Sequence, residues 1–368
     1  MKAYDFIVVG GGLIGSAIAW GIARQGASVA LLDEGDTAFR AARGNFGLVW
    51  LQGKGLGAPP YMRWSIRAGR LWDDLSAELA KVTGMDVGWR RPGGLHFCFS
   101  EADMDARQKV IERTRAEGGD LSIRVLDRAD LKGMVRAIGD SVVGASYSPE
   151  DSHVNPLLLL RAFQSGLQLA GGEYHAGCPV ADIIPGKSEF TVLSGERRFH
   201  CRQLVLAAGL GGARLAPMVG MNLPVRPLRG QIIVTERLKP FFGFVGNSVR
   251  QTVEGSVLFG SSQEDSGFDD GTDVRTIQKL SANGVRVFPQ LEQANVVRVW
   301  GSLRVMTPDG LPVYEQSSKF PGAYIVTCHS GVTLASVHAL DLAPAIASGR
   351  LPGDVSTFTC RRFDVQAA

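Results

Sequence analysis

The sequence of 368 residues lacks the patterns of disulfide-rich, zinc-binding and nucleic-acid-binding proteins. Its five cysteines are widely spread and include no C-x-x-C pair. This low, odd count argues against a disulfide framework or a metal site and favours free thiols in a reducing compartment. The formal net charge is +3, and no dense stripe of Lys and Arg with interleaved aromatic residues occurs. Nucleic acid is therefore not an expected partner.

The sequence also lacks the long apolar runs of secretory and membrane-spanning segments. Its first apolar run, residues 6–9, begins almost at Met1 and leads into glycines without a basic segment or a cleavage site. No stretch reaches the roughly 18–20 apolar residues that span a bilayer. We expect a cytoplasmic protein, and leave open a peripheral attachment to the inner membrane through a partner.

A glycine-rich turn stands between two predicted strands at the start of the chain. Residues 5–9 (DFIVV) and 27–32 are apolar runs typical of buried parallel strands, and residues 16–25 predict a helix between them. The turn matches G-x-G-x-x-G at Gly10, Gly12 and Gly15. Asp33 follows the second strand, 23 residues after Gly10.

Each part of this motif has a physical role in dinucleotide binding. The first glycine permits the tight turn, Gly12 lets a pyrophosphate approach the backbone, and Gly15 lets the helix pack closely on the strand. N–H groups at the helix N-terminus hold the phosphates. Asp33 is placed to accept the ribose hydroxyls, which favours FAD or NAD over NADP. Three neighbouring residues complete the predicted cofactor contacts: Leu13, Ile14 and Glu34.

Three later segments favour FAD over NAD. Residues 42–50 form a glycine- and aromatic-rich loop, in place of the regular strand–helix alternation of a simple NAD dehydrogenase. Residues 203–209 (QLVLAAG) read as a buried strand that ends in Ala208 and Gly209, and residues 329–334 (HSGVTL) open a predicted last helix. Separated segments that converge on one cofactor fit a long, extended ligand such as FAD.

These motifs together resemble the D-amino acid oxidase superfamily, in its glycine oxidase and sarcosine oxidase branch. The resemblance runs nearly end to end and includes the glycine motif, residues 207–209 (AAG), residues 229–231 (RGQ) and residues 304–312 (RVMTPDGLP). Residues 45–55 and 328–334 look closest to one subgroup, the FAD-carrying subunits of opine oxidase, D-hydroxyproline dehydrogenase and hydrogen cyanide synthase. The subgroup implies partner subunits, and it leaves open an FMN at the subunit interface.

The family fold is of the α/β (α+β) class, with a Rossmann-type FAD-binding domain and a discontinuous substrate domain built on a large antiparallel sheet. The resemblance places the FAD-binding domain at residues 1–80, 146–222 and 301–368, and the substrate domain at residues 81–145 and 223–300. The residues agree with this arrangement, because glycine-bounded runs predict strands at 95–99, 231–234 and 256–259. Surface helices are predicted at residues 101–118 and 272–284.

The resemblance implies oxidation of the C–N bond of a small amino-acid-like amine by hydride transfer to flavin N5. No obligatory protein base is needed, because the flavin supplies the chemistry and the protein positions the substrate. Arg304 is the predicted carboxylate-binding residue, since glycine oxidases carry theirs six residues before the glycine of T-P-D-G. A structural salt bridge is the alternative role for Arg304. Arg250 and Arg229 are alternative carboxylate-binding positions.

His329 precedes the turn that the family places under the pyrimidine edge of the flavin. It is predicted either to hold negative charge on the reduced ring or to be a structural histidine. The N–H groups of Gly331, Val332 and Thr333 are the predicted donors to a flavin carbonyl.

Further contacts follow from the resemblance. The segment expected along the inner face of the flavin consists of Arg43, Gly44, Asn45, Phe46 and Gly47. Val180 is expected against adenine, while Trp50 and Tyr61 either shape the substrate pocket or belong to the core. Ser302 stands where monomeric sarcosine oxidases carry the cysteine that tethers FAD, so non-covalent FAD is expected. Lys54, in an exposed loop, is a candidate contact for a partner or flavin.

The substrate stays open among an opine, D-hydroxyproline or another D-amino acid, and glycine. The alternative function is a flavin-bearing electron-transfer subunit without an amine site of its own. A flavin monooxygenase that uses NAD(P)H is disfavoured, because no second nucleotide motif occurs and residues 304–312 belong to amine oxidisers.

Overall fold

Two large β-sheets organise residues 2–35, 41–260 and 262–367, which are the residues that the computed structural model describes. In chain order the strands are β1 (Ala3–Val9), β2 (Val29–Leu32), β3 (Leu48–Val49), β4 (Gly94–Cys98), β5 (Arg124–Asp127), β6 (Gly144–Ser148), β7 (Ser152–His153), β8 (Glu173–His175), β9 (Asp182–Pro185), β10 (Phe190–Ser194), β11 (Arg197–Leu206), β12 (Arg226–Arg237), β13 (Val245–Gly246), β14 (Val249–Gln251), β15 (Ser256–Phe259), β16 (Val296–Met306), β17 (Val313–Gln316) and β18 (Ala323–Thr327). β3 and β7 form a small separate pair.

Helices connect and cover the sheets. They are α1 (Leu13–Ala23), α2 (Pro59–Thr83), α3 (Glu101–Ala116), α4 (Arg128–Met134), α5 (Pro156–Leu169), α6 (Gly212–Leu215), α7 (Val274–Val287), α8 (Ala335–Val337) and α9 (Ala343–Ala347). A π-helical turn, His338–Leu342, joins α8 to α9. Short 3₁₀ segments cover Gly209–Gly211, Ala216–Val219, Pro289–Gln293, Gly353–Val355 and Cys360–Ala367.

The first sheet brings three strand ends to one edge. Its order is β17-β18-β11-β1-β2-β8, and β10 and β9 extend it antiparallel to β11. β1 lies parallel between β11 and β2, so Val9 pairs with both Leu206 and Leu32. β1 is apolar along most of its length because alternate residues enter the cores on opposite faces of the sheet. Gly10, Asp33 and Ala207 therefore emerge side by side.

α1 begins three residues earlier than the sequence predicted. Gly12, with extended backbone angles (φ −71°, ψ −175°), is the N-cap residue, and Ser16 N–H donates to its carbonyl at 2.9 Å. The first turn of α1 thus lies inside the glycine motif, and the prediction that it starts at Ser16 was wrong. Glycines allow this early start because no side chain obstructs the turn from β1 into the helix.

The second sheet carries the other half of the fold. Its order is β16-β12-β15-β14-β13-β4-β6-β5, and its pairs are antiparallel except for β13 with β4. One face packs on a core that includes Leu95, Phe97 and Phe288. This confirms the predicted large antiparallel sheet.

The predicted surface helices are confirmed within two or three residues at their ends. α3 begins where its cap residue Ser100 accepts from Asp103 N–H, and α7 begins after Asp273 accepts from Thr276 N–H. The domain limits stay a prediction, because β6 and β16 run through two of them. In the described ranges no helix is both long and apolar enough to cross a membrane. The five cysteines are buried and unbridged.

Replacing Gly21 tests the packing of α1. A Cβ at Gly21 would lie 2.4 Å from the carbonyl oxygen of Ala339 and 2.5 Å from the Ala343 Cβ. We expect Gly21→Val to lower the free energy of unfolding by about 1–3 kcal/mol through overpacking, measured by chemical denaturation. Gly133→Ala is the control, since its Cβ would meet nothing within 4 Å and would favour α4. Equal stability of Gly21→Val and the unsubstituted protein would contradict this packing.

Candidate active site

The glycine turn is held by close backbone contacts that exclude side chains. Gly10 has φ +106°, and a Cβ there would lie 2.4 Å from the carbonyl oxygen of Ala207. A Cβ at Gly15 would lie 1.8 Å from the carbonyl oxygen of Gly10. Both positions need glycine because β1, β11 and α1 approach too closely for a side chain.

Gly12 differs from its neighbours, because a Cβ there would meet no atom of the described residues within 4 Å. Its vacant side faces a cavity of about 1020 Å³. α1 begins at this cavity with no side-chain cap and no acidic residue in its first turn. Its first N–H groups and the positive end of its dipole are thus available to an anion, as a pyrophosphate requires.

Asp33 supports the glycine turn and also lines this cavity. It is 6% exposed, and its Oδ2 accepts from Gly11 N–H at 2.6 Å while Oδ1 accepts from Gly35 N–H at 2.9 Å. Glu34 lines the same cavity with an exposed side chain. The predicted ribose contact therefore involves a carboxylate that already braces the phosphate turn, with a second carboxylate beside it.

The structure brings most of the predicted cofactor contacts to this cavity. They come from the ends of β1, β2 and β11, from the start of α1 and from three other segments, and they are Gly10, Gly12, Leu13, Ile14, Asp33, Glu34, Asn45, Val180, Ala208, Gly209 and Gly331. His329 lines the cavity as well. An elongated ligand that begins at Glu34 and passes α1 would end beside His329.

The turn after His329 offers unused backbone donors. Val332 is 2% and Thr333 3% exposed. Within the described residues, the N–H groups of Gly331, Val332 and Thr333 donate to no acceptor. Buried N–H groups without acceptors cost free energy, so this arrangement fits a ligand carbonyl.

A smaller cavity of about 660 Å³ adjoins the first and contains Arg304. The two cavities share Ala41, Asn45 and His329. Register in the second sheet explains the lining, because Gly230 pairs with Ser302 and Leu228 with Arg304. Alternate residues of β12 and β16 therefore face the cavity together, and Gly230, Ile232, Ser302 and Arg304 line it with Phe46 and Leu48.

Arg304 has no carboxylate within salt-bridge distance among the described residues. Its Nη1 donates to the carbonyl oxygen of Arg229 at 3.2 Å, and burial lowers the pKa of its guanidinium from the usual value. Arg229 instead binds Glu264 at 2.8 Å and Asp269 at 2.6 Å. The structure thus gives Arg229 an ion-pair role and leaves Arg304 directed at a cavity.

His329 is neutral at the junction of the two cavities. The side chain is open to the cavities, but desolvation by the surrounding protein, then the charges of Lys54 and Arg304, lower its pKa to about 3. Ser330 Oγ lies 3.1 Å from His329 Nδ1 and accepts from Lys54 Nζ at 2.7 Å and from Tyr61 OH at 2.9 Å. The hydroxyl of Ser330 accepts from both neighbours, so its own O–H donates a hydrogen bond to Nδ1. Nδ1 is then the unprotonated ring nitrogen, and the ring N–H is at Nε2.

Comparison with known proteins decides the family. Residues 5–345 match the model of the family described as FAD dependent oxidoreductase. The chain belongs to this FAD-dependent oxidoreductase family. It is 40% identical to an opine oxidase subunit of Rhizobium meliloti and 41% identical to the corresponding one of Agrobacterium tumefaciens, over 100% of each chain. The crystal structure of glycine oxidase from Geobacillus kaustophilus matches with a TM-score of 0.91 at 23% identity, covering 98% of this chain and 99% of that one.

The family match confirms the resemblance drawn from the motifs, and FAD is the cofactor of this FAD-dependent oxidoreductase. The open side of Gly12, the uncapped α1 and the unused donors at 331–333 fit its pyrophosphate and flavin ends. The individual contacts stay predictions. Non-covalent attachment of FAD also stays a prediction. It rests on Ser302, which lines the Arg304 cavity and stands where monomeric sarcosine oxidases carry the tethering cysteine.

Some predicted site residues of the oxidoreductase lie elsewhere. Trp50 and Tyr61 line neither cavity, because the Trp50 ring lies against Gly94 and Tyr61 binds Ser330. Arg250 lines a third cavity, together with Arg43 and Gly44.

The loop position of Gly47 is structural. It has φ +84°, and a Cβ there would lie 2.4 Å from the carbonyl oxygen of Val154. Asn45 Oδ1 accepts from Gly47 N–H at 2.7 Å, which tightens this turn. Gly47 thus shapes the loop that presents Asn45 and Phe46 to the cavities.

Lys54 is less exposed than the sequence predicts. The side chain is half-buried and reaches Ser330, beside His329. Its loop is anchored by Asp151, which is fully buried and accepts from Leu51 N–H at 2.5 Å and from the Gln52 side chain at 2.7 Å. Burial raises the pKa of Asp151 to about 7, although the hydrogen bonds from these donors lower it.

Gly12→Val tests the pyrophosphate position. The valine side chain would fill open space, so we expect a folded protein that loses bound FAD, measured by the flavin-to-protein ratio after purification. Gly15→Val is the contrasting variant, because its side chain would collide with Gly10 and lower stability as well. Stoichiometric FAD in Gly12→Val would contradict the assignment.

Lys54→Met tests the electrostatics of His329. Removing the nearby cation should raise the pKa of His329 from about 3 towards the ordinary 6.5. A depressed histidine pKa stabilises the fold above about pH 6.5 and loses this contribution as pH falls towards the folded value. The variant should therefore lose less stability on acidification. Nitrogen NMR titration, assigned with His329→Gln, measures the change; Lys81→Met, at an exposed position on α2, is the control.

Proposed function

We propose that the protein oxidises the C–N bond of a small amino-acid-like amine, and that it does so as a subunit of a heteromeric dehydrogenase or oxidase. The observation that carries this proposal is Arg304, a largely buried guanidinium that lacks a carboxylate partner in the described part of the chain. A buried cation without a counter-ion is costly unless a ligand supplies the anion. An amino-acid carboxylate is such an anion.

Arg304 is proposed to hold the substrate by its carboxylate. One nitrogen is fixed by the Arg229 carbonyl, which orients the planar guanidinium for a two-pronged contact. Phe46 and Ile232 line the same cavity and provide apolar walls that exclude water from the reacting carbon. The side chain thus positions the amine, while the walls strengthen the ion pair by lowering the local dielectric.

Bound FAD supplies the hydride acceptor, flavin N5. The residues of the chain supply position and polarity around it. His329 is neutral, so it offers an Nε2–H donor and adds no positive charge. The N–H groups of Gly331, Val332 and Thr333 are proposed to bind a flavin carbonyl, where they would stabilise charge on the reduced ring.

The role as one component of a larger enzyme is supported by the likeness to the two opine oxidase subunits along their whole lengths. An opine, D-hydroxyproline or another D-amino acid, and glycine remain the proposed substrates. An FMN at a subunit interface is a further prediction. Release and quantification of the flavins bound to the purified complex test this prediction. Detection of FAD without FMN would contradict it.

An anaerobic titration tests the function directly. The FAD-loaded protein is mixed with glycine, sarcosine, D-proline, D-hydroxyproline and opines while the visible flavin absorbance is followed. Bleaching by a member of this panel supports amine oxidation, and the speed of recovery in air separates oxidase from dehydrogenase. No bleaching, with or without a co-expressed partner, would favour an electron-transfer subunit that has no amine site.

Arg304→Ala tests the carboxylate site. Loss of one partner of a buried charge pair costs about 2–5 kcal/mol, so KM should rise roughly 30- to 5000-fold. Steady-state kinetics with the best substrate of the panel measures this change. Arg226→Ala, at an exposed arginine of β12, is the matched control and should keep the original KM. An unchanged KM in Arg304→Ala would mean that a residue other than Arg304 binds the substrate carboxylate.

A further inference from the structure

A third cavity adjoins the cavity of Arg304. It has a volume of about 1820 Å³, part of which is open to solvent, and it shares Gly44, Asn45 and Ser302 with the Arg304 cavity. The two spaces therefore meet where the loop 43–47 crosses β16. The crossing is close, since a Cβ at Gly44 would lie 2.1 Å from the Ser302 Cβ. A ligand anchored at Arg304 can extend along this junction into the larger space, which we call the Arg250 groove.

Arg250 is a buried cation in this groove. It lies on β14, is 5% exposed, and has no carboxylate within salt-bridge distance among the described residues. Its Nη1 donates to His153 Nδ1 at 3.1 Å, while its Nε has no hydrogen-bond partner in the described part of the chain. Burial lowers the pKa of Arg250 to about 10, so the group stays protonated at neutral pH.

His153 does not neutralise Arg250. Burial, followed by the charges of Arg250 and Arg90, lowers the pKa of His153 to about 3. The imidazole is thus a neutral acceptor that orients the guanidinium. Glu254 attracts Arg250 only from beyond salt-bridge distance and does not cancel the effect of burial, so an anion in the groove would offset the remaining cost of burying the charge.

Other groups in the groove support an anionic ligand. Trp300 Nε1 is buried and has no hydrogen-bond partner, so a second donor is unused. The lining also contains three exposed arginines and two acidic residues, so it carries more positive than negative side chains. The arginines are Arg43, Arg237 and Arg298, and the acidic residues are Glu254 and Asp270.

Comparison with other buried arginines shows that Arg250 is not simply structural. Arg229, on the same sheet, is paired with Glu264, Asp269 and Asp273. Arg107 also lacks a carboxylate, but it donates to Ser146 and Gln52 and lines none of the three cavities. Arg304 and Arg250 differ from both because each faces a space that is open to a ligand.

We propose that Arg250 binds a second carboxylate of the substrate whose first carboxylate binds Arg304. The preferred substrates are then secondary amines that carry a carboxylate on each of the two nitrogen substituents. This inference rests on the proposed function and narrows its substrate class. The Phe46 ring lines the Arg304 cavity and lies 5.8 Å from the Arg250 guanidinium, so it borders both anion sites. Glycine and other monocarboxylates would leave Arg250 without its counter-ion.

Inert diacids test the second site without turnover. Thiodiacetate and thiodipropionate carry two carboxylates around a sulfur, and their monoamides remove one charge at nearly constant shape. We expect the better diacid to bind the FAD-loaded protein at least about 30-fold more tightly than its monoamide, by calorimetry and by perturbation of the flavin spectrum. Binding of acid and monoamide within about 3-fold would overturn the proposal, and this comparison needs no variant.

Substitution then assigns the effect to Arg250. Arg250→Met should bring the diacid-to-monoamide ratio to within about 3-fold, and Arg250→Lys should keep part of it. Arg226→Met, which removes an exposed arginine outside the groove, should keep the original ratio. A ratio that survives in a folded Arg250→Met, as judged by its FAD content, would overturn the assignment.

Two further outcomes separate this inference from the proposed function. If glycine or sarcosine bleaches the flavin with the same KM as iminodiacetate, amine oxidation stands and the second carboxylate site is wrong. If no amine bleaches the flavin while thiodiacetate still binds through Arg250, the function fails and the anion site remains. Stoichiometric FMN binding that Arg250→Met abolishes, without any diacid preference, would assign the groove to a second flavin and overturn the proposal.

Discussion

The close approach of α1 to the carboxyl end of β1 is the contact on which the rest of the site depends. Gly15 lies against the Gly10 carbonyl, and Gly10 lies against Ala207, so no side chain separates the helix from the sheet. This contact fixes the N-terminus of α1 at the edge where β1, β2 and β11 end. The unused helix N–H groups, the braced Asp33 and the open side of Gly12 follow from it, and together they form the phosphate end of the cavity.

The second sheet adds an arrangement of charges to this scaffold. Its arginines have different surroundings. Arg229 is paired with three carboxylates, while the half-buried Arg304 and the buried Arg250 have no carboxylate within salt-bridge distance among the described residues. The histidines beside them, His329 and His153, are neutral because burial and these cations disfavour a second positive charge. The reaction space is therefore polarised by fixed arginine charges, with the imidazoles acting as oriented neutral partners.

Local patterns predicted the parts of the structure that depend on neighbouring residues. The apolar run of β1, the glycine spacing and the surface helices α3 and α7 are all visible in the sequence. The start of α1 was misplaced because glycines were read as loop residues, although Gly12 caps the helix. The sequence left open whether Trp50 and Tyr61 shape the pocket or belong to the core, because their contacts with Gly94 and Ser330 depend on segments distant in the chain.

The sequence by itself determined the dinucleotide motif, because spacing and residue type carry that information, and its resemblance to a known family implied the two-sheet fold class and the candidacy of Arg304. Only the tertiary structure decided which cavity each arginine faces and what neutralises it. Strand register turns Arg304 and Ser302 to one face of β16, and long-range packing leaves Arg250 beside His153 while Arg229 meets Glu264. Ion pairing and burial between distant segments leave no periodic pattern in the chain, so they emerge only when the sheets assemble.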